Sequence, residues 1–199
     1  MKILITGSKG FIGKNLYFYL KEKNKYKICE FNRNDSYKKL EKLVNTSDII
    51  FHCAGENRAK FKKNYKISNV DLTKKIITIL NKKKNKTYLI FTSTKLINNK
   101  DKSTYSITKF KAEEIIRLNL KKKHKFKILR LPNIFGKWAK PNYNSVVATF
   151  CHNISRNIPI SILKNKNIDF CYIDDLLKLF NAIIINKDKK IPIKTYKCN

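Results

Sequence analysis

Short apolar segments recur along the chain over 2–6, 27–31, 48–53, 88–92, 127–131 and 168–172, and each reads as a β-strand. Between them lie stretches with helical character over 14–23, 37–44, 69–82, 106–121, 145–156 and 174–185. Strands alternating with helices predict an α/β fold with a parallel sheet and helices on both faces. The unbroken apolar run Ile3-Leu4-Ile5 suits a strand buried on both sides. Lysine runs at 82–86 and 121–125 read as solvated connections ahead of strands. There is no internal repeat and no linker. At 199 residues the chain is read as a single domain, 1–199, with a sizeable core.

The first strand runs directly into Thr6-Gly7-Ser8-Lys9-Gly10-Phe11-Ile12-Gly13, a T-G-x-x-G-x-x-G string that opens a helix. Gly7 suits a tight bend, Gly10 a close backbone approach to a pyrophosphate, and Gly13 a helix packed hard against the strand. A pyrophosphate then lies over the helix N-terminus, where unpaired N–H groups and the dipole favour an anion. With a strand before it and a helix after it, the string predicts a doubly wound, Rossmann-type sheet that binds a dinucleotide. Gly7, Lys9, Gly10, Phe11, Ile12 and Gly13 are the candidate cofactor contacts in the turn.

Ligands of such a sheet bind beyond the carboxyl ends of the strands, and the chemically informative residues fall there. Asn32 and Arg33 follow the second strand, where NAD-binding chains usually carry an acidic residue for the ribose hydroxyls. A neutral Asn32 with Arg33 beside it favours NADP over NAD. The third strand ends in His52-Cys53-Ala54-Gly55, whose Ala54 and Gly55 let the backbone approach a cofactor. The fourth is followed by Ser93 and Thr94, and a later helix opens with Tyr105-Ser106-Ile107-Thr108-Lys109. Tyr105 and Lys109, at i and i+4, share a helix face. A nearby ammonium is expected to lower the tyrosine pKa, so that Tyr105 exchanges a proton with a carbonyl or carbinol oxygen. Thr94 or Ser93 would hold that oxygen by a hydrogen bond. Lysine is so common here that chance Y-x-x-x-K strings are expected. The position after the fourth strand distinguishes this one.

The formal charge of +31 raises a nucleic-acid reading. The excess is nearly all lysine and is spread through every segment, which fits compositional bias better than a binding face. It predicts non-specific attraction to polyanions and no specific nucleic-acid partner. Against this background the five arginines, Arg33, Arg58, Arg117, Arg130 and Arg156, mark places where a planar bidentate donor is useful. Cys29, Cys53, Cys151, Cys171 and Cys198 are scattered, without a C-x-x-C pair, and suggest a reducing cytoplasm. His52, His124 and His152 lack metal-ligand spacing, so no metal is expected. No apolar run is long enough for a membrane span.

The glycine string, His52-x-Ala54-Gly55, Asn69-Val70, Tyr105-x-x-x-Lys109, the run Arg130-Leu131-Pro132-Asn133-Ile134-Phe135-Gly136 and Tyr172-Ile173-Asp174-Asp175 together resemble the extended short-chain dehydrogenases/reductases. These are the NAD-dependent epimerase/dehydratase enzymes of nucleotide-sugar metabolism. Gly55-Glu56-Asn57-Arg58 and the run 130–154 resemble, within that group, the reductase domain of the bifunctional enzymes of capsular-polysaccharide synthesis in the UDP-N-acetyl-fucosamine pathway. The resemblance implies NADPH-dependent reduction of the 4-keto group of a UDP-2-acetamido-2,6-dideoxy-hexulose. It assigns Thr94, Tyr105 and Lys109 to catalysis, and adds Asn69 and Lys109 to the cofactor contacts. Arg58, Asn133, Asn142, Tyr143, Asn144, Ser145 and Arg156 are implied to meet the UDP-sugar, in substrate-binding elements from about residue 132 onward. It also implies a homodimer as the default.

Members of that group carry further substrate-site helices and then a cupin domain. The chain is expected to lack both, leaving a C-terminally truncated substrate-binding part and a separate cupin chain as a conceivable partner. Rival expectations are a 4-epimerase or dehydratase with bound NAD, a truncated non-catalytic NAD(P)-binding remnant, and a nucleic-acid-binding protein.

Overall fold

The computed structural model describes residues 1–100, 102–143, 145–162, 168–186 and 193–198. The chain divides into two compact units, Met1–Arg130 and Leu131–Asn199. The division falls beside the position from which substrate-binding elements are expected.

The first unit runs β1 (Lys2–Thr6), α1 (Phe11–Glu22), β2 (Lys27–Phe31), α2 (Tyr37–Thr46), β3 (Ile49–His52), α3 (Lys62–Tyr65), a π-helical turn (Lys66–Asp71), α4 (Leu72–Lys82), β4 (Tyr88–Thr94), a 3-10 turn (Lys95–Asn98), α5 (Thr104–Asn119) and β5 (Lys125–Leu131). The five-stranded sheet has the order β2-β1-β3-β4-β5. β1 is parallel to both β2 and β3, and β3 is parallel to β4. The strand order reverses beside β1, so the topological switch point lies between β1 and β3.

Register brings the strand ends level. Thr6 pairs with Phe31 on one side and His52 on the other, and His52 pairs with Phe91. The chain therefore leaves β1, β2 and β3 along one edge. β1, β3 and β4 are central and almost wholly buried, and β2 is a partly exposed edge. One face of the sheet is covered by α2, α4 and α5, which contribute Leu40, Val44, Ile76, Leu80, Ala112 and Ile116 to a core around Leu4, Ile50 and Phe91. Each buried Leu or Ile stabilises the fold by about 1.5–3 kcal/mol.

Local chemistry sets the helix starts. The Ser36 hydroxyl accepts the Lys39 N–H at 3.2 Å to cap α2, and Ser103 accepts the Ser106 N–H at 3.2 Å to cap α5. The expected helix over 69–82 is corrected. Its first turns are a π-helix from Lys66, and α4 proper begins at Leu72.

The second unit holds β6 (Asn133–Phe135), α6 (Val146–Ile154), β7 (Ile168–Tyr172), α7 (Ile173–Ile185) and β8 (Tyr196–Cys198). These strands form a sheet β6-β7-β8, parallel between β6 and β7 and antiparallel between β7 and β8. Asp174 and Asp175 sit in the first turn of α7, where carboxylates complement the helix dipole. The expected helix over 145–156 is shorter. Ser145 is its cap, and the chain turns off after Ile154 toward Asn157, which adopts a left-handed φ of 53°. Among the described residues no helix is long and apolar enough to cross a membrane.

Candidate active site

The turn after β1 is tied down on three sides. Gly7 donates its N–H to Phe31 O at 2.7 Å, and Gly10 donates to Gly7 O at 2.9 Å. Asn32 accepts the Lys9 N–H at 3.1 Å and donates to Ser8 Oγ at 2.9 Å. Gly7 has φ +72°, and a Cβ on it would stand 2.7 Å from Ala54 Cα. A Cβ on Gly13 would stand 2.2 Å from Gly7 O. Both positions exclude a side chain for reasons internal to the fold. Gly10 differs, because it has an ordinary φ of −79° and a Cβ on it would meet only Gly7 O, at 3.2 Å. That contact is tight but not prohibitive, and the turn leads directly into the N-terminus of α1. There Phe11, Ile12 and Gly13 carry first-turn N–H groups that helix geometry leaves without intrahelical partners. The cradle fits a dinucleotide pyrophosphate.

Beneath the turn runs a buried polar chain. Ala54 N–H donates to Thr6 Oγ1 at 3.2 Å, and Thr6 Oγ1 lies 2.8 Å from His52 Nδ1. His52 Nε2 lies 2.9 Å from Thr73 Oγ1, which donates to Asn69 O at 2.7 Å. Asn69 Oδ1 accepts the Glu56 N–H at 2.8 Å, and its Nδ2 donates to Glu56 O at 3.1 Å and Thr108 Oγ1 at 3.0 Å. The π-helical turn carries Asn69 into this position. Burial, with Lys109 nearby, pushes the His52 pKa down to about 3, so the imidazole is neutral. Sequence reading named Asn69 but gave no task to His52, Thr6, Thr73 or Thr108. The signals were a histidine at the end of an apolar strand and its place in His52-x-Ala54-Gly55.

Lys109 is buried beside this chain, with Nζ 4.3 Å from the Phe91 ring centroid. A Cβ on Gly55 would lie 2.9 Å from Asn69 Oδ1 and 3.2 Å from Lys109 Nζ, so the structure brings these three predicted residues together. Burial lowers the Lys109 pKa to about 8 against the opposing pull of Cys53 and Glu113. The expected lowering of the Tyr105 pKa does not hold. Burial pushes its phenol up to about 12, and Lys109 does not lower it. Thr94 accepts the Leu96 N–H at 3.2 Å, and both Ser93 and Thr94 are buried at the end of β4.

Two ion pairs border the site. Arg33 Nη2 is bonded to Glu56 Oε2. Further along α5, the buried Glu113 carboxylate accepts from Arg130 Nε at 3.0 Å and Nη2 at 2.8 Å, and Arg117 approaches to 3.7 Å. Arg58 is exposed in the loop after β3.

The second-unit candidates are separately placed. Asn133 starts β6 and is exposed. Asn142 has a left-handed φ of 53°, donates its N–H to Thr149 Oγ1 at 2.9 Å, and precedes the exposed Tyr143. Ser145 accepts the Ala148 N–H at 3.3 Å as the cap of α6, a structural task the sequence reading did not give it. Arg156 is exposed and bonded locally to Ser155 Oγ at 3.2 Å. Asn144 lies outside the described residues. Among the described residues no cluster of His, Cys, Asp and Glu could hold a metal ion.

A parallel sheet with a glycine turn at its switch point defines a nucleotide-binding class of α/β proteins. Residues 3–198 match the model of the NAD dependent epimerase/dehydratase family, and the chain belongs to it. Over 189 residues it is 39% identical to a UDP-2-acetamido-2,6-beta-L-arabino-hexul-4-ose reductase of Pseudomonas aeruginosa, covering 94% of this chain and 50% of the relative. The crystal structure of the capsular polysaccharide assembling protein CapF from Staphylococcus aureus superposes with a TM-score of 0.84 at 30% identity, covering 99% of this chain and 54% of that one. A UDP-glucuronic acid 4-epimerase from Bacillus cereus, solved with NAD, shares the fold at 20% identity and a TM-score of 0.83, over 99% of this chain and 79% of that one. The chain thus spans about half the length of the curated relative it matches.

Proposed function

We propose that this chain is an NADPH-dependent reductase acting on the 4-keto group of a UDP-2-acetamido-2,6-dideoxy-hexulose, in the synthesis of a capsular or surface polysaccharide precursor. The reductase named above supports the substrate class. The observation that carries the chemistry is Lys109, buried against Gly55 and Asn69, with Tyr105 one helical turn before it.

In this reading Gly7, Gly10 and the first turn of α1 hold the pyrophosphate, and Arg33 meets the 2′-phosphate. The nicotinamide supplies the hydride. The chain's own residues supply the proton and the alignment. With its pKa raised to about 12, Tyr105 is protonated at neutral pH and is the acid that delivers a proton to the keto oxygen. Thr94 already accepts the Leu96 N–H, which leaves its own proton to donate to the same oxygen. Lys109, at about 8, is mostly an ammonium at pH 7 and stabilises charge developing on the phenol. Asn69 fixes the backbone of Glu56 and so the loop that Lys109 touches. Asn133, Asn142, Tyr143, Asn144, Ser145, Arg156 and Arg58 are the proposed UDP-sugar contacts. A homodimer and a cytoplasmic location complete the proposal.

The test is turnover of NADPH by the purified chain with a UDP-4-keto-2-acetamido-2,6-dideoxy sugar. Tyr105→Phe should lose about 10²–10⁴ in rate while still binding NADPH. Near-full turnover in the Phe variant would remove Tyr105 as the acid.

A further inference from the structure

Arg33 and Glu56 leave the two strands that flank β1, one after β2 and the other in the loop after β3, and meet across the switch point. The pair is asymmetric. The Glu56 side chain is 11% exposed and that of Arg33 is 72% exposed. Both backbone polar groups of Glu56 are clamped by the Asn69 amide, at 2.8 and 3.1 Å. The carboxylate is therefore the fixed partner, and the guanidinium is the one that can swing. Glu56 decides where Arg33 rests. It also puts a full negative charge on the cation that the NADPH reading assigns to the 2′-phosphate. An anion arriving at Arg33 must either displace that carboxylate or share the guanidinium with it. Either course costs more for a dianionic phosphate than for a neutral ribose hydroxyl, which the carboxylate can accept as a hydrogen bond.

We infer that Glu56 is a specificity-determining residue for the cofactor. Its carboxylate competes with the 2′-phosphate for Arg33 and holds the site open to NADH as well as NADPH. The inference rests on the dinucleotide reading of the glycine turn. It adds to that reading a residue from the loop after β3, distant in sequence from the β2 end where selectivity is usually sought.

The experiment is direct binding of NADPH and NADH to the wild-type chain, Glu56→Gln and Glu56→Asp, by calorimetry at low and physiological salt, with no turnover required. Glu56→Gln keeps the shape and the Asn69 clamp and removes the charge. It should tighten NADPH about tenfold, leave NADH within about threefold, and show its largest gain at low salt. Glu56→Asp keeps the charge and should keep the wild-type ratio. If Glu56→Gln does not fold, Glu56→Ala is read in the same way. An unchanged NADPH:NADH ratio in the charge-removed variant overturns the inference, as does a parallel loss of both cofactors. A selective loss of NADPH also overturns it, because Glu56 would then be aiming Arg33 at the phosphate. If the wild-type chain binds neither dinucleotide, the underlying reading itself fails.

Discussion

Removing Arg130 should destabilise the chain through a partner that is almost completely buried. The side chain of Glu113 is 1% exposed, and its carboxylate takes three hydrogen bonds from Arg130, at 3.0, 3.2 and 2.8 Å. Arg130→Met keeps the aliphatic bulk and strips away those donors. Leaving one charge of a buried pair unpartnered costs about 3–5 kcal/mol. Arg117 stays 3.7 Å away and Arg130 is itself 36% exposed, so water can enter. The lower end, about 3 kcal/mol, is therefore expected. At about 2–4 °C per kcal/mol for a chain of this size, the melting temperature should fall by about 6–12 °C at pH 7. Burial raises the Glu113 pKa, but the Arg130 hydrogen bonds, Ser93 and the two guanidinium charges outweigh it, and the net shift is downward. A carboxyl whose folded pKa is depressed stabilises above its unfolded value, near 4.3, and loses that contribution as pH falls through the folded value. In Arg130→Met burial is opposed only by Ser93 and the Arg117 charge, so the Glu113 pKa rises relative to the wild type. The variant's carboxyl then takes up its proton at a higher pH than the wild type's, so the gap between the two should narrow as pH drops from 7 toward 5. Arg130→Met/Glu113→Gln should recover most of the loss at pH 7. Thermal melts of the three proteins at pH 7, 6 and 5 read all of this. A pH-independent gap, or a deficit below about 1 kcal/mol, would show that the pair is not what holds Glu113 in place.

Two further outcomes are expected. Gly13→Ala forces a methyl to within 2.2 Å of the Gly7 carbonyl, a backbone atom that cannot step aside, so the ligand-free protein should lose about 1–3 kcal/mol in a urea melt and its NADPH binding should vanish. Binding to DNA or heparin should be measurable at about 50 mM salt and fall by orders of magnitude by about 200 mM, and affinity that survives that change would contradict the reading of the +31 charge as compositional.

The sheet was legible because buried strands need apolar runs. The strands over 2–6, 27–31 and 168–172 appear with the expected bounds. β6 was missed because three residues between Pro132 and Gly136 are too few to show a period. The arginine hint also had content. Where lysine is the default cation, Arg130 makes the forked contact with Glu113 that an ammonium cannot. What the sequence could not carry was burial. It placed Lys109 one turn from Tyr105 and inferred a lowered phenol pKa. The desolvation that instead raises it depends on how deeply the start of α5 lies.

The same blindness to distant partners hid the histidine, whose neighbours come from 46 residues before it and 21 after it. Yet those neighbours fix its state completely. Thr73 Oγ1 gives its proton to Asn69 O, so toward His52 it can only accept, and Nε2 must carry the hydrogen. Thr6 Oγ1 accepts from Ala54 N–H and gives its own proton to Nδ1. Every donor in the chain from Ala54 to Asn69 thus faces one way, with no place for a second proton on the ring. That is why burial can hold His52 neutral at about 3 beside the Lys109 ammonium without leaving a polar atom unmatched. A protonated imidazole would have to break the Thr6 bond, which is also the bond that steadies Ala54 against the glycine turn. The buried network therefore couples the loop after β3 to the turn after β1, and the shape of the dinucleotide cradle depends on a histidine that never needs to touch what the cradle holds.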